Sequence, residues 1–206
     1  MNEPILWYFA DPMCSWCWGF SPVIEAIKQT NQDRLKVALV LGGLRPGTVD
    51  PITPQGREEI LHHWHDVQQK TGQTFTFEGA MPDGFIYDTE PPSRGVIAAS
   101  EISPEATFPF FKAVQSAFYM DQKDVTKPAV LAELATKVGL DSAHFLELFN
   151  ADDTKKKVLA HFQMARQWGI RGFPTVVLQN AEKYHLLTNG YCELDVLQPQ
   201  IDELLG

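Results

Sequence analysis

Two cysteines separated by two residues, in Cys14-Ser15-Trp16-Cys17, constrain this sequence more than any other feature. The five residues 5–9 just before them are apolar, with aromatic or β-branched side chains at most positions, which is typical of a buried central strand. The residues after them show apolar side chains at helical spacing: Trp16, Phe20, Val23, Ile24 and Ile27. The pair is therefore predicted at a strand-to-helix junction, in the first turn of a helix that Pro22 should kink.

Two thiols at this spacing can close an intramolecular disulfide, and the free N–H groups of a helix N-terminus stabilise a thiolate. Cys14 is predicted to be the nucleophile because it lies at the helix cap. Cys17, one turn deeper, is predicted to resolve the mixed disulfide. Zinc binding is less favoured, since four ligands are usual and the sequence has no second CxxC or CxxH. Two inert buried cysteines remain an alternative. The third cysteine, Cys192, is expected to be inert, with a regulatory thiol left open.

The remaining strands and helices follow from apolar periodicity and turn signals. Residues 36–41 are a second buried strand ended by Gly42-Gly43, and a strand–helix–strand path requires a crossover that makes the two strands parallel. Residues 176–178 and 184–187 are the third and fourth strands, joined by a hairpin turn at 179–182. A last amphipathic helix carries Leu194, Leu197, Ile201 and Leu204.

Between residues 46 and 169 the pattern is almost entirely helical. Helix starts are predicted at Ser93, Ser103-Pro104, Thr126, Asp141, and Asp152 or Asp153, and helix ends near Gly72, Gly139 and Gly169. The chain is therefore predicted to be an α/β protein, ordered β-α-β, helical insert, β-β-α. Residues 1–45 and 170–206 would form one domain, and residues 46–169 an inserted helical domain.

A proline begins the third strand, in Gly172-Phe173-Pro174-Thr175. Proline cannot donate a hydrogen bond to a sheet, so its presence there calls for a structural reason. One reason is a cis peptide bond, which X–Pro bonds permit. A cis proline beside the cysteine pair would leave the Phe173 backbone free to bind an extended substrate. An ordinary trans proline at a strand start is the alternative.

Composition excludes several classes of function. The net charge of −9 and pI near 5.1 oppose binding to nucleic acids or anionic membranes. No run of about 18 apolar residues could span a membrane. The N-terminus lacks a secretory signal pattern, which predicts an intracellular protein unless a leader was removed. No organic cofactor is expected, because Gly42-Gly43 is too little to indicate nucleotide binding. His62 and His65 are expected on a polar helix face rather than at a metal.

Taken together, these features resemble the DsbA-like branch of the thioredoxin superfamily. Residues 9–19, Phe-Ala-Asp-Pro-Met-Cys-Ser-Trp-Cys-Trp-Gly, are especially similar to its cytoplasmic FrnE-type members, and Pro22 and residues 139–141 and 169–175 agree. The resemblance implies a thioredoxin fold with a helical lid over the active site, Cys14 as nucleophile, Cys17 as resolving thiol and Pro174 as the cis proline. Ser15 and Trp16 stand where the periplasmic oxidant has proline and histidine, which predicts a less oxidising couple.

The leading functional prediction is therefore a thiol–disulfide oxidoreductase or isomerase that acts on proteins or small-molecule thiols and disulfides. Asp11 and Glu25 lie close enough in sequence to move protons for Cys17, and Trp16 and Trp18 flank the pair and could line a substrate groove. A DsbA-like adaptor that delivers proteins to a protease is a second hypothesis. A kappa-type glutathione-dependent enzyme is a third, disfavoured because such enzymes typically have a serine in place of Cys14 and lack Cys17.

Overall fold

The computed structural model describes residues 3–206 and is built around a four-stranded mixed sheet of strand order β2-β1-β3-β4. The strands are β1 (Ile5–Ala10), β2 (Lys36–Leu41), β3 (Thr175–Asn180) and β4 (Lys183–Asn189). β1 pairs with β2 in parallel and with β3 antiparallel, and β3 and β4 form a hairpin with a register shift between Val176 and Val177. Together with its flanking helices this sheet is the expected thioredoxin fold.

Outside the strands, helices take up most of the described residues. They are α1 (Ser15–Thr30), α2 (Pro54–Thr71), α3 (Glu90–Ile102), a short 3₁₀ turn (Pro104–Ala106), α4 (Thr107–Tyr119), α5 (Pro128–Lys137), α6 (Ser142–Asn150), α7 (Asp152–Gln167) and α8 (Leu194–Leu205). Six of the eight α-helices, α2 to α7, lie between β2 and β3, where the sequence predicts a helical insert. Within residues 3–206, each helix is too short or too polar to cross a membrane.

Helix ends follow local capping chemistry, with two corrections to the predicted starts. Asp141 caps α6 as expected, with its carboxylate accepting the His144 N–H at 2.7 Å. The predicted start of α3 at Ser93 is wrong, because α3 begins at Glu90 and takes Pro91 and Pro92 into its first turn, where a missing N–H costs nothing. The predicted start of α5 at Thr126 is also displaced, to Pro128, because the Thr126 backbone and hydroxyl bind the Asp124 carboxylate.

One continuous apolar core joins the sheet to the helical insert. It includes Leu6 and Tyr8 from β1, Phe20 from α1, and Trp64 and Phe118 from the insert. A second, smaller core lies on the opposite face of the sheet, where α7 covers Phe9, Val40 and Val177. The larger core contains residues from both sides of positions 45 and 170. The division into two domains at those positions therefore stays a prediction.

Candidate active site

The cysteine pair lies where β1 ends and α1 begins. Cys14 is the N-cap residue of α1 and its side chain is 6% exposed, whereas Cys17 lies in the first turn and is fully buried. Both are free thiols in contact with each other. Burial, followed by the neighbouring Cys14 thiol, raises the pKa of Cys17 well above its ordinary value. The two thiols are therefore unequal: Cys14 reaches the surface, and Cys17 is an interior group held as a neutral thiol.

The loop that begins β3 lies directly against Cys14. The Cys14 thiol donates to the Phe173 carbonyl with a sulfur–oxygen distance of 3.5 Å, and the Phe173–Pro174 peptide bond is cis. The Thr175 hydroxyl donates to the Gly172 carbonyl at 2.8 Å, which fixes the loop at its other end. The aromatic ring of Phe173 covers Gly42, where a Cβ atom would lie 2.0 Å from the nearest ring carbon. The site thus depends on a glycine at the end of β2.

A Gly42→Ala substitution is expected to lower the free energy of unfolding by about 1–3 kcal/mol, because the added methyl group must displace the Phe173 ring. Urea unfolding would measure the loss. Gly172→Ala is the matched control, since its Cβ would first meet the Asn189 side chain at an ordinary 3.4 Å. If both variants lose the same stability, the Phe173 ring is not held against Gly42 as described.

A groove of about 230 Å³ opens beside Cys14. Its walls include Met13, Trp16, Arg45, His63 and Tyr87. The Arg45 guanidinium lies 5.1 Å from the centre of the Tyr87 ring, and the Tyr87 hydroxyl donates to the Met13 carbonyl at 2.5 Å. The exposed Arg45 guanidinium therefore contacts a tyrosine whose hydroxyl is hydrogen-bonded to the backbone next to Cys14. In a chain of net charge −9, this groove presents positive charge.

Asp11 is a buried carboxylate directly beside the pair. It accepts the Met13 N–H at 2.9 Å and the Leu44 N–H at 2.8 Å, so it ties the cysteine loop to the loop that carries Arg45. Burial outweighs these hydrogen bonds and raises the pKa of Asp11 to about 6. Glu25, in contrast, lies on the surface of α1 with Lys112, at 2.8 Å. Of the two carboxylates predicted near the pair, only Asp11 lies at the site.

The other residues named in the sequence analysis do not all lie in the groove. Trp16 lines the groove, but Trp18 is 3% exposed, stacks on Tyr119 and donates to the Thr74 carbonyl. Trp18 is therefore a core residue rather than a groove residue. His65 stacks on Phe77, and no group of three or more potential metal ligands occurs within residues 3–206. Burial raises the pKa of the Cys192 thiol, which favours the inert interpretation.

Sequence reasoning missed Arg45, Tyr87 and Tyr119. Arg45 follows the second strand, and the carboxyl ends of parallel strands share one sheet edge, so its position beside Cys14 could have been inferred from the topology. Tyr87 and Tyr119 come from the helical insert, 73 and 105 positions after Cys14 in the sequence. No local pattern indicates that they return to the cysteines.

Three comparisons place the chain among known proteins. It is 49% identical to a solved candidate protein disulfide isomerase from Nitrosomonas europaea, with a TM-score of 0.94 over 99% of this chain and 98% of that one. It is 27% identical to the cytosolic disulfide reductase DsbM from Pseudomonas aeruginosa, with a TM-score of 0.82 over 98% of each chain, and DsbM is also solved with GSH. Among curated proteins, it is 22% identical to the ClpXP adapter protein SpxH of Bacillus subtilis, over 98% of this chain and 67% of that protein.

The family assignment rests on nearly the whole chain. The model of the DSBA-like thioredoxin domain matches residues 5–202, a span that begins with β1 and ends within α8. That span contains the cysteine pair, the helical insert and the Phe173–Pro174 loop. The chain therefore belongs to the DSBA-like thioredoxin domain family.

Proposed function

We propose that the protein is a thiol–disulfide oxidoreductase that works through the Cys14–Cys17 dithiol, with isomerisation of protein disulfides as a related activity. The observation that carries this proposal is the inequality of the two thiols beside one groove. Cys14 reaches the groove and contacts the Phe173 carbonyl, whereas Cys17 is fully buried in contact with Cys14. A substrate can therefore reach Cys14 while Cys17 is shielded from everything except the disulfide that forms at Cys14.

In the reducing direction, the Cys14 thiolate attacks one sulfur of a substrate disulfide, whose other sulfur leaves as a thiolate and takes up a proton. Cys17 then loses its proton and attacks Cys14, so that the Cys14–Cys17 disulfide forms and the second substrate thiol leaves. Asp11 is the buried base beside Cys17, and its pKa of about 6 suits it to accept that proton near neutral pH. The reverse sequence oxidises a dithiol substrate.

The reduction potential of the pair tests the proposal directly. The protein would be equilibrated in graded glutathione buffers, and the free thiols trapped and counted. We expect one cooperative two-electron transition between roughly −120 and −270 mV, below the strong-oxidant limit because Trp16 provides no cation beside Cys14. If the two cysteines never form a disulfide, the proposed function is wrong, and a potential near −120 mV would contradict the prediction of a less oxidising couple.

We infer that glutathione is a small thiol substrate that binds in this groove, and a cytoplasmic location would supply it. DsbM, a cytosolic reductase of the same fold, was solved with GSH. Glutathione carries carboxylates, and Arg45 presents an exposed guanidinium in the groove without an ion-pair partner among residues 3–206. The cation lies beside Cys14 because the Tyr87 ring supports it.

An Arg45→Glu variant is expected to reduce glutathione disulfide about five- to tenfold more slowly, because a carboxylate at that position repels the substrate. Reduction of the neutral hydroxyethyl disulfide should change less than about twofold, since the cysteine pair is untouched. Steady-state rates with the two disulfides would measure the difference. Lys183→Glu makes the same change in net charge at the start of β4, outside the residues that line the groove. It should leave the reduction rates of both disulfides unchanged. An equal fall in the reduction rate of both disulfides would show that Arg45 does not favour the negatively charged substrate over the neutral one.

An adaptor role is the second candidate, favoured by the similarity to the SpxH adapter proteins. The two candidate functions differ in whether they require the cysteines. If the protein is an adaptor, a Cys14→Ser, Cys17→Ser variant keeps its partner binding, because docking needs only the surface. If it is an oxidoreductase, the same variant loses disulfide turnover. Measuring turnover and partner capture on that one variant separates the two roles.

A further inference from the structure

The edge strand β4 carries an apolar surface on one face of the sheet. Within residues 3–206, β4 pairs with β3 alone, so its other side is a free edge. Tyr184 and Leu186 alternate onto the same face of β4 and are 55% and 62% exposed. Together with Trp168 and Ile170, which follow α7, they form a surface that we call the β4 patch. Two large apolar side chains therefore meet solvent side by side on an open strand.

The β4 patch is one continuous surface rather than a set of scattered exposed residues. Its four side chains line a hollow of about 360 Å³. The Tyr184 ring meets the Trp168 ring edge-on, with 5.2 Å between the ring centres. Trp168 in turn contacts the rings of Trp7 and Phe9 in β1. Contiguous exposed apolar surface that is supported from below in this way is typical of a protein interaction site.

One end of the hollow lies at the loop that contacts Cys14. Thr175 lines the hollow and directly follows Pro174 in the chain. The Phe173 side chain packs against the same small core as Trp168, while the Phe173 carbonyl accepts from the Cys14 thiol. The hollow therefore adjoins the place where a substrate disulfide would meet Cys14.

Arg171 gives this end of the hollow a positive charge. Its side chain is exposed and lines the hollow, and it makes no ion pair within residues 3–206, unlike Arg34, Arg57 and Arg94. The net charge of the chain is −9, so a cation beside an apolar surface is a local departure from its overall charge. A partner that presents an acidic side chain here would gain a favourable contact.

We propose that the β4 patch binds protein substrates as an extended segment, with apolar side chains on Tyr184 and Leu186 and an acidic side chain against Arg171. A free strand edge recognises an extended main chain through its N–H and C=O groups, and alternate side chains of the added segment provide the specificity. The inference rests on the proposed dithiol function, because the bound segment is the one whose disulfide meets Cys14. Small disulfides would use the Cys14 groove alone.

A short peptide joined through its one cysteine to 2-thiopyridine can test the proposal on the pre-reduced protein. Valine and threonine would alternate on both sides of the cysteine, with an aspartate beside it. The Cys14 thiolate attacks the peptide sulfur and thiopyridone leaves with the bonding electrons. Cys17 then attacks Cys14 and frees the peptide thiol. Wild-type protein should release thiopyridone about tenfold faster from this peptide than from one with serine in place of each valine.

Leu186→Glu removes apolar surface from the β4 patch. It should slow the reaction with the valine peptide about five- to tenfold and stay within about twofold on 2,2′-dithiodipyridine, a small neutral disulfide, because only the peptide buries the leucine side chain. Leu159→Glu is the matched control. It makes the same substitution at a leucine that is 50% exposed on α7, outside the residues that line the hollow. It should leave both rates unchanged.

Arg171→Gln tests the charge separately from the apolar contacts. It should slow the aspartate peptide about threefold, the loss of one exposed ion pair, and should not slow a peptide with lysine in place of the aspartate. Equal effects on the two peptides would show that Arg171 does not bind the acidic side chain.

Equal rates for wild type and Leu186→Glu on the valine peptide would overturn the proposal, as would an equal fall on 2,2′-dithiodipyridine. Sedimentation of both proteins adds an independent readout. A wild-type dimer that Leu186→Glu loses would assign the β4 patch to a second copy of the chain and overturn the proposal. If the wild-type protein never frees the peptide from Cys14, the dithiol function itself is wrong, and the inference fails with it. Normal release of the peptide with no preference for valine contradicts the inference alone.

Discussion

A Cys17→Ser variant is expected to accumulate a stable mixed disulfide at Cys14 when it meets a substrate disulfide, because the buried hydroxyl that replaces the thiol cannot resolve it. Cys14→Ser should instead form no covalent adduct, and its turnover should fall by on the order of 10³-fold or more, since the covalent route is lost. Mass spectrometry of the intact protein after exposure to glutathione disulfide would show the adduct, and a coupled reductase assay would measure turnover.

Cys192→Ser is the control for this pair. Cys192 lies after β4, outside the residues that line the Cys14 groove, so the variant should keep wild-type turnover and form no persistent adduct. An adduct that maps to Cys192, or a Cys14→Ser variant with near-normal turnover, would contradict the assignment of Cys14 as nucleophile. A Cys17→Ser variant that turns over normally would indicate that an external thiol resolves the mixed disulfide.

Asp11→Asn is expected to change how stability depends on pH. The pKa of Asp11 is about 6 in the folded protein against 3.8 ordinarily, so the folded state binds this proton more tightly than the unfolded state. The resulting stabilisation is complete below pH of about 4 and is lost as the pH rises through about 6. The wild-type free energy of unfolding should therefore fall by about 3 kcal/mol relative to the variant between those limits.

Urea titrations at several pH values, performed on both proteins, would measure this difference. The comparison must be made between proteins, because the other carboxylates destabilise both in acid. Glu25→Gln removes a half-exposed carboxylate from α1 and should keep the wild-type pH dependence. Parallel pH curves for wild type and Asp11→Asn would show that Asp11 ionises as easily in the folded protein as in the unfolded chain, and would remove the basis for its role as a proton acceptor.

The sheet and the cysteine pair could be predicted because their signals are local. Residues 37–41 are apolar and are followed by Gly42-Gly43, and the predicted strand, residues 36–41, has the bounds of β2 although only Val40 and Leu41 are buried. The cysteines lie between an apolar run typical of a strand and apolar residues at helical spacing. These two patterns predict that the pair lies at a strand-to-helix junction. Pro174 could be recognised as unusual because proline is rare in the interior of a sheet. Its loop does contact Cys14, through the Phe173 carbonyl.

The environment of the pair could not be predicted, because distant segments of the chain supply it. Tyr87 and Tyr119 reach the cysteines from the insert, and nothing in their own neighbourhoods distinguishes them from core tyrosines. The pKa of Asp11 depends on complete burial, whereas sequence alone makes an Asp-Pro pair look like an exposed turn. Ser93 is a good cap in isolation and so predicts a helix start, but Pro91 and Pro92 before it are already helical in α3.

The pairing of β1 has a consequence for how the protein is made. β1 lies between β2, about 30 residues later in the chain, and β3, about 170 residues later, and the carbonyl that contacts Cys14 is 159 residues away. At roughly 5–20 residues per second, a ribosome needs on the order of ten seconds or more to synthesise that interval. Until it has done so, the nascent chain carries its dithiol beside an open strand edge, without the loop that later shields Cys14.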